Sequence, residues 1–144
     1  MKRFIAILIF VAVAGPLCSQ TLSQLVDICA AQLGDATYLR DFQVELEAAE
    51  PGHPAPVAKY SMVLNRNTQY RLSICNSEFS PGRGIIEIYD NRGLIGSNHV
   101  KSSGEIYPYF DIQIQSTGIY HIFISFTGGQ QGTAVGILSY VKRL

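Results

Sequence analysis

Apolar positions along the chain change their period once, from helical spacing near the N-terminus to strict alternation over the remainder. The helical positions are Leu22, Leu25, Val26, Cys29 and Leu33. Steps of three and four residues place all five on one face of a helix. Thr21 precedes them as a helix N-cap and Gly34 follows where a helix would stop. The pattern predicts an N-terminal helix within residues 20–36, packed on the following domain.

Alternation of apolar and polar residues then predicts eight short strands in residues 37–144. They fall near 38–46, 60–64, 70–74, 84–90, 94–97, 106–114, 118–126 and 132–141. Turn-forming residues such as Asp90-Asn91-Arg92-Gly93 separate neighbouring strands, and no long helical pattern lies between them. We therefore predict an all-β domain, an antiparallel β-sandwich or jelly roll with one short N-terminal helix.

The first nineteen residues have the pattern of a cleavable signal peptide. Lys2-Arg3 gives a positive start, residues 4–14 are apolar or small, and Gly15-Pro16 breaks the segment. Eleven such residues would span about 16 Å as a helix, whereas the hydrocarbon core of a bilayer is about 30 Å thick. We predict removal of residues 1–19, no membrane span, and a periplasmic, cell-surface or secreted protein.

Cys18 raises the alternative of a lipid-anchored protein. Lipid attachment usually needs a small residue just before the cysteine, and here Pro16-Leu17 precedes it. We therefore do not expect a lipoprotein, and we place cleavage near Ser19 so that Gln20 comes first.

The charge balance argues against nucleic acid as a partner. The 144 residues carry 11 basic and 11 acidic side chains. Removal of Lys2 and Arg3 with the signal peptide leaves the rest acidic by about two charges, with no basic stripe to bind phosphates.

Several segments of the second half carry a resemblance to a known family. They are 64–70 ahead of an alternating strand, Ile86-Glu87-Ile88-Tyr89-Asp90 before a glycine turn, Phe110 in its own strand, and Thr117-Gly118-Ile119-Tyr120 at the start of the next. Residues 59–140 resemble in this way the bacterial pre-peptidase C-terminal domain, a small β-sandwich found on secreted proteins. The resemblance implies an accessory role in secretion, folding or substrate contact. Gly84-Ile85 stands where the family often has an aspartate, so no calcium site is carried over.

Two cysteines remain after signal removal, Cys29 and Cys75, in a compartment that permits disulfides. A bridge would tie the helix to a strand. Cys75, however, falls on the strand face opposite Tyr70, Leu72 and Ile74, and this geometry could forbid the bond. The sequence leaves a disulfide and two separate thiols as alternatives.

The sequence contains no recognisable catalytic or metal-binding motif. His53, His99 and His121 are not at metal-ligand spacing, and neither G-x-S-x-G nor C-x-x-C occurs in the sequence. We predict no metal, no cofactor and no enzymatic activity.

Tyr107-Pro108-Tyr109, together with Tyr89, is the candidate binding site. Partly exposed tyrosines suit sugar rings or protein contacts because they offer a large contact area at small entropic cost. Alternation sends Phe110 inward and Tyr109 outward, and Pro108 indicates an edge strand or the start of a strand. The alternative is that these rings only cover the rim of the sandwich or pack beneath the helix.

The sequence thus favours a non-catalytic accessory or binding module that acts outside the cytoplasm on an unknown protein or carbohydrate. A structural component docking on a larger envelope complex is the first alternative, and a small hydrolase is the second. Oligomeric state cannot be read from these patterns.

The signal-peptide pattern gives a direct prediction. N-terminal sequencing of the protein recovered from the cell envelope or medium should begin near Gln20. A cytoplasmic protein that retains Met1 would contradict it.

Overall fold

A computed structural model describes residues 21–144 of the chain, and the predicted signal peptide with Cys18 lies outside the described residues. One helix, α1 (Leu22–Ala30), precedes ten strands. The strands are β1 (Thr37–Leu46), β2 (Ala58–Leu64), β3 (Thr68–Asn76), β4 (Gly84–Asp90), β5 (Gly93–Ser97), β6 (His99–Val100), β7 (Glu105–Ile106), β8 (Tyr109–Ile114), β9 (Gly118–Phe126) and β10 (Gly132–Arg143).

Two four-stranded antiparallel sheets pack face to face, which confirms the predicted all-β sandwich. One sheet has the order β1-β10-β3-β8 and the other the order β2-β9-β4-β5, while β6 and β7 form a small separate ladder. We call the first the covered sheet and the second the open sheet, for reasons given below.

The core lies between the sheets and is filled by alternate side chains from each. Ile86, Ile88, Ile122 and Ile124 of the open sheet are fully buried there, as is Leu72 of the covered sheet. Alternation buries every second residue of β3, β4 and β9, as expected for strands with one face in the core.

The covered sheet has a second apolar cluster on its outer face, beneath α1. Its members are Leu25, Cys29, Leu33, Val135 and Ile137, with Leu22, Val26, Ala30, Ala36 and Cys75 packed against them. The predicted helical face is therefore confirmed. Because β10 has the core on one side and α1 on the other, its residues Ala134 to Ser139 are all buried.

The helix is shorter than residues 20–36 allow. Thr21 forms a capping box with Gln24 at its start. The backbone N–H groups of Gln32 and Leu33 then bond three residues back, to Cys29 and Ala30, which tightens the last turn. Gly34, at φ +61°, leads the chain away from the helix, so Leu33 joins the cluster from a turn.

Cys29 and Cys75 form a disulfide, with their Cα atoms 5.8 Å apart. The sequence had raised the opposite strand face of Cys75 as an obstacle, and this reasoning was wrong. Cys75 does point away from the core, but α1 packs on that outer face. The alternation that seemed to separate the two thiols is what brings them together.

The prediction of one continuous strand over 106–114 is wrong, because this range contains the end of β7 and the whole of β8. Ile106 pairs with His99 in the small β6–β7 ladder, and β8 starts only at Tyr109. Pro108, between them, has no N–H to continue a ladder. β8 lies at the end of the covered sheet, so the predicted edge position next to Pro108 is confirmed.

Asn98 fastens this region to the core and is fully buried. Its side chain accepts a hydrogen bond from the Ile86 N–H (2.8 Å) and donates to the carbonyls of Gly84 (3.2 Å) and Tyr107 (3.0 Å). The segment before Pro108 is thus held against β4. No helix within residues 21–144 is long and apolar enough to cross a membrane.

Removal of the bridge should destabilise the domain markedly. A double Cys29→Ala, Cys75→Ala variant releases a loop of 46 residues, for which the loop-entropy model gives about 4 kcal/mol of unfolding free energy. Denaturant unfolding of the variant, beside the wild type with and without reductant, measures the effect. Identical midpoints for all three would contradict the prediction.

Candidate functional site

Tyr109 stands on the outer face of the covered sheet, next to the helix, with about half of its surface exposed. The Arg71 guanidinium lies over its ring, 4.3 Å from the centroid. Arg71 also donates hydrogen bonds to both carboxylate oxygens of Asp111, at 2.7 and 3.1 Å, and approaches the Leu33 carbonyl at 3.4 Å. One face of the predicted binding ring is therefore occupied by the protein itself.

The ion pair alters the acid–base properties of this cluster. Hydrogen bonds from Arg71, together with its charge and a bond from Gln69, hold the pKa of the Asp111 carboxyl below its ordinary value. The same hydrogen bonding by Asp111 raises the pKa of Arg71. Both side chains are mostly shielded from solvent, at 20% and 29% exposure.

Tyr107 is as exposed as Tyr109, but hydrogen bonds from its backbone and from its hydroxyl group fix its position. Its N–H donates to the Asn98 carbonyl at 2.9 Å, and its hydroxyl donates to the Glu105 carboxylate. The hydrogen bond to that carboxylate raises the pKa of the Tyr107 phenol. Tyr107 and Tyr109 therefore present two rings on either side of Pro108.

Tyr89 does not belong to the same site, which corrects the prediction that grouped it with Tyr107 and Tyr109. It points outward from β4 in the open sheet, whereas Tyr109 points outward from β8 in the covered sheet. The two outer faces look in opposite directions across the sandwich. Tyr89 instead packs on Phe123, with ring centroids 4.6 Å apart.

The outer face of the open sheet carries a set of apolar side chains exposed to solvent. The register places Ser61, His121, Tyr89 and Leu94 in one row and Lys59, Phe123, Glu87 and Ser97 in the next, with Val63 beside Ile119 in a third. Val63 is 64% exposed, Ile119 62% and Leu94 47%. We call these three rows the open face, since the helix packs on the other sheet.

Polar groups on the open face are mostly paired with neighbours. The Ser61 hydroxyl and His121 Nδ1 are 2.8 Å apart, and Lys59 Nζ lies 5.1 Å from the centroid of the Phe123 ring. No group of three His, Cys, Asp or Glu side chains that could hold a metal comes together in residues 21–144. His121 is half-buried on the outer face, on the same side of β9 as Phe123.

A groove of about 770 Å³ opens at the end of the sandwich where the turn β4–β5 and the loop β8–β9 meet. Its lining is mixed: Ile95, Ile112 and Ile119 are apolar, whereas Gln113, Gln115, Ser116 and Thr117 are polar, and Arg92 lies on its rim. The Asp90 carboxylate beside Arg92 accepts the backbone N–H groups of Arg92 and Gly93, which hold the pKa of Asp90 below its ordinary value.

Sequence reasoning missed both the open face and the groove. Alternation assigns the faces of a strand, but it does not say which of two sheets a helix covers. The groove depends on how turns that are distant in sequence meet. The signal for the open face was the presence of apolar residues at positions where a strand normally carries polar ones.

The Arg71–Asp111 pair predicts a pH dependence of stability. Because the pKa of Asp111 is lower in the folded than in the unfolded state, its stabilising contribution is present above the unfolded value, near pH 4, and is lost as the pH falls through the folded pKa. Melting temperatures of the wild type and Asp111→Asn from pH 7 to pH 2 should converge at the acid end. Parallel curves would contradict the assignment.

Comparison with solved structures shows a likeness to PliG of Aeromonas hydrophila, described as a periplasmic lysozyme inhibitor of g-type lysozyme. The TM-score is 0.53 at 11% sequence identity, and the match covers 72% of this chain and 87% of that chain. No protein-family model and no curated protein sequence matches the chain, so the resemblance to the pre-peptidase C-terminal domain stays a prediction. At this identity, what the chain shares with PliG is a β-sandwich fold.

Proposed function

We propose that the chain is an exported, non-catalytic module that binds a protein through its open face. The observation that carries the proposal is the exposed apolar set of Val63, Ile119 and Leu94 around the Tyr89–Phe123 ring pair. Several exposed apolar side chains on one face of a sheet favour association with another macromolecule. The disulfide agrees with a destination outside the reducing cytoplasm.

The chemistry of the open face favours a protein over a carbohydrate. Sugar recognition relies on aromatic faces and on polar groups free to hydrogen-bond. Here one side of the Phe123 ring meets Lys59, and the ring also packs on Tyr89. Ser61 and His121 are hydrogen-bonded to each other. The most exposed members of the set are aliphatic, and these gain most from burial against apolar protein side chains.

The likeness to PliG supports both parts of the proposal. PliG is a protein that acts on another protein in the periplasm, and its sandwich aligns over most of its length with this chain. We therefore choose lysozymes as the first class of partner to test. In this proposal the chain holds a secreted hydrolase by surface contact and contributes no catalytic group of its own.

The proposal predicts that loss of apolar contact on the open face weakens binding without unfolding the domain. A double Val63→Asn, Leu94→Asn variant keeps the net charge, so electrostatic steering is unchanged. Its affinity for a purified g-type lysozyme should fall about tenfold or more, because buried apolar anchors dominate protein interfaces. Calorimetry with g-type and c-type lysozymes, and inhibition of cell-wall lysis, provide the two measurements.

The matched control is Ile28→Asn with Leu39→Asn, two apolar side chains 45% and 49% exposed that lie on the helix and on β1 of the covered sheet. This variant should bind like the wild type. A Tyr109→Ala variant tests the other outer face, which the tyrosine pattern had favoured. A wild type that binds no lysozyme overturns this partner class, and a loss confined to Tyr109→Ala overturns the choice of surface.

A further inference from the structure

Phe79 is the most exposed large apolar side chain in residues 21–144, at 73%. It lies in the loop between β3 and β4, a segment held firmly by backbone bonds. The Ser77 N–H donates to the Thr133 carbonyl at 2.9 Å, the Thr133 N–H donates to the Ser80 hydroxyl at 3.0 Å, and the Gly82 N–H donates to the Gln131 carbonyl at 2.8 Å. The ring is thus presented on a preordered loop, which lowers the entropic cost of inserting it elsewhere.

The groove described above lies at the opposite end of the sandwich. Phe79 comes between Asn76, which ends β3, and Gly84, which starts β4. The groove contains Asp90 at the far end of β4, and Ile114, which pairs with the first residue of β3. Seven residues of strand separate the two ends by about 20 Å. A chain cannot place Phe79 in its own groove, but a second copy can.

The two ends also differ in charge. The loops around Phe79 carry Glu47, Glu50 and Glu78 against Arg83, and all four are exposed. The backbone bonds from Ala49 to Gly129, and from Gly82 to Gln131, place these loops at one end.

Basic side chains dominate the groove end. Its exposed members are Arg66, Arg92, Lys142 and Arg143; the half-buried Asp90 and the carboxylate of Leu144 offset only part of this positive charge. The Arg66 N–H donates to Thr117, which lines the groove, and the Leu144 N–H donates to the Asn67 carbonyl, which brings the chain terminus to the same end. The Arg92 side chain is 87% exposed, and its guanidinium lies 3.5 Å from a carboxylate oxygen of Asp90.

We propose that copies of this chain associate head to tail, with Phe79 of one copy in the groove of the next. In this contact the Phe79 ring packs on the isoleucines of the groove, Ile95 and Ile119 among them, and Glu78 next to the ring faces Arg92 on the rim. Opposite charges at the two ends attract in this orientation, whereas like ends repel. The inference goes beyond the proposed function and does not depend on it.

Such a contact has two consequences. It is heterologous, so each copy keeps one free knob and one free groove, and association continues beyond the dimer unless the rotation closes a ring. It is also small, because one loop enters one groove, so the association is weak and depends on concentration.

Sedimentation of the purified protein over a concentration series tests the proposal. The weight-average mass should rise with concentration, and should rise less at high salt because screening weakens the Glu78–Arg92 pairing. Phe79→Ala should weaken association about tenfold or more, while Ile28→Ala, a control on the helix with 45% exposure and away from the groove, should leave it unchanged.

A charge exchange then tests the pairing itself. Glu78→Arg and Arg92→Glu should each weaken association, and the double variant should restore it, since both side chains are exposed and neither substitution disturbs the core. A protein that stays monomeric throughout, a Phe79→Ala variant that associates like the wild type, or a double variant that fails to recover would each overturn the proposal.

Discussion

Burial of β10 on both faces is the constraint on which the rest of this structure depends. As a central strand of its sheet, β10 must meet the opposite sheet on one side, and its residues Val135 and Ile137 are equally apolar on the other. Gly136 lets the sheets approach closely, since a Cβ there would lie 2.8 Å from the Ile124 side chain. A second layer is needed over the outer face, and the short helix supplies it.

This need explains the asymmetry of the molecule. A helix of nine residues is too short to be stable alone in water, so its position depends on the apolar cluster and on the bond to Cys75. Having one such helix, the domain covers one sheet and leaves the other exposed. No helix residues cover the exposed apolar side chains of the open sheet in the way that Leu25 and Cys29 cover the other sheet. Such an uncovered surface favours binding to another molecule over catalysis in a pocket.

The alternating pattern was sufficient to predict the fold class and the inward face of the strands, because the side-chain period of a strand is a local property. It predicted Phe110 inward and Tyr109 outward, and both are so placed. It could not predict that Cys75 meets Cys29, because that depends on which sheet the helix covers. Tyr89 and Tyr109 failed as one site for the same reason, since residues with equal outward patterns belong to different sheets. The groove and the Phe79 loop depend on contacts between distant turns, which no local period encodes.

The disulfide makes the stability of the domain depend on the redox conditions around it. Reducing conditions keep Cys29 and Cys75 as thiols, so in the reduced chain no covalent bond ties the helix to β3. The helix would then cover Val135 and Ile137 less firmly, and the reduced chain would unfold more readily than the oxidised domain. The domain therefore reaches its full stability only in a compartment that permits disulfides.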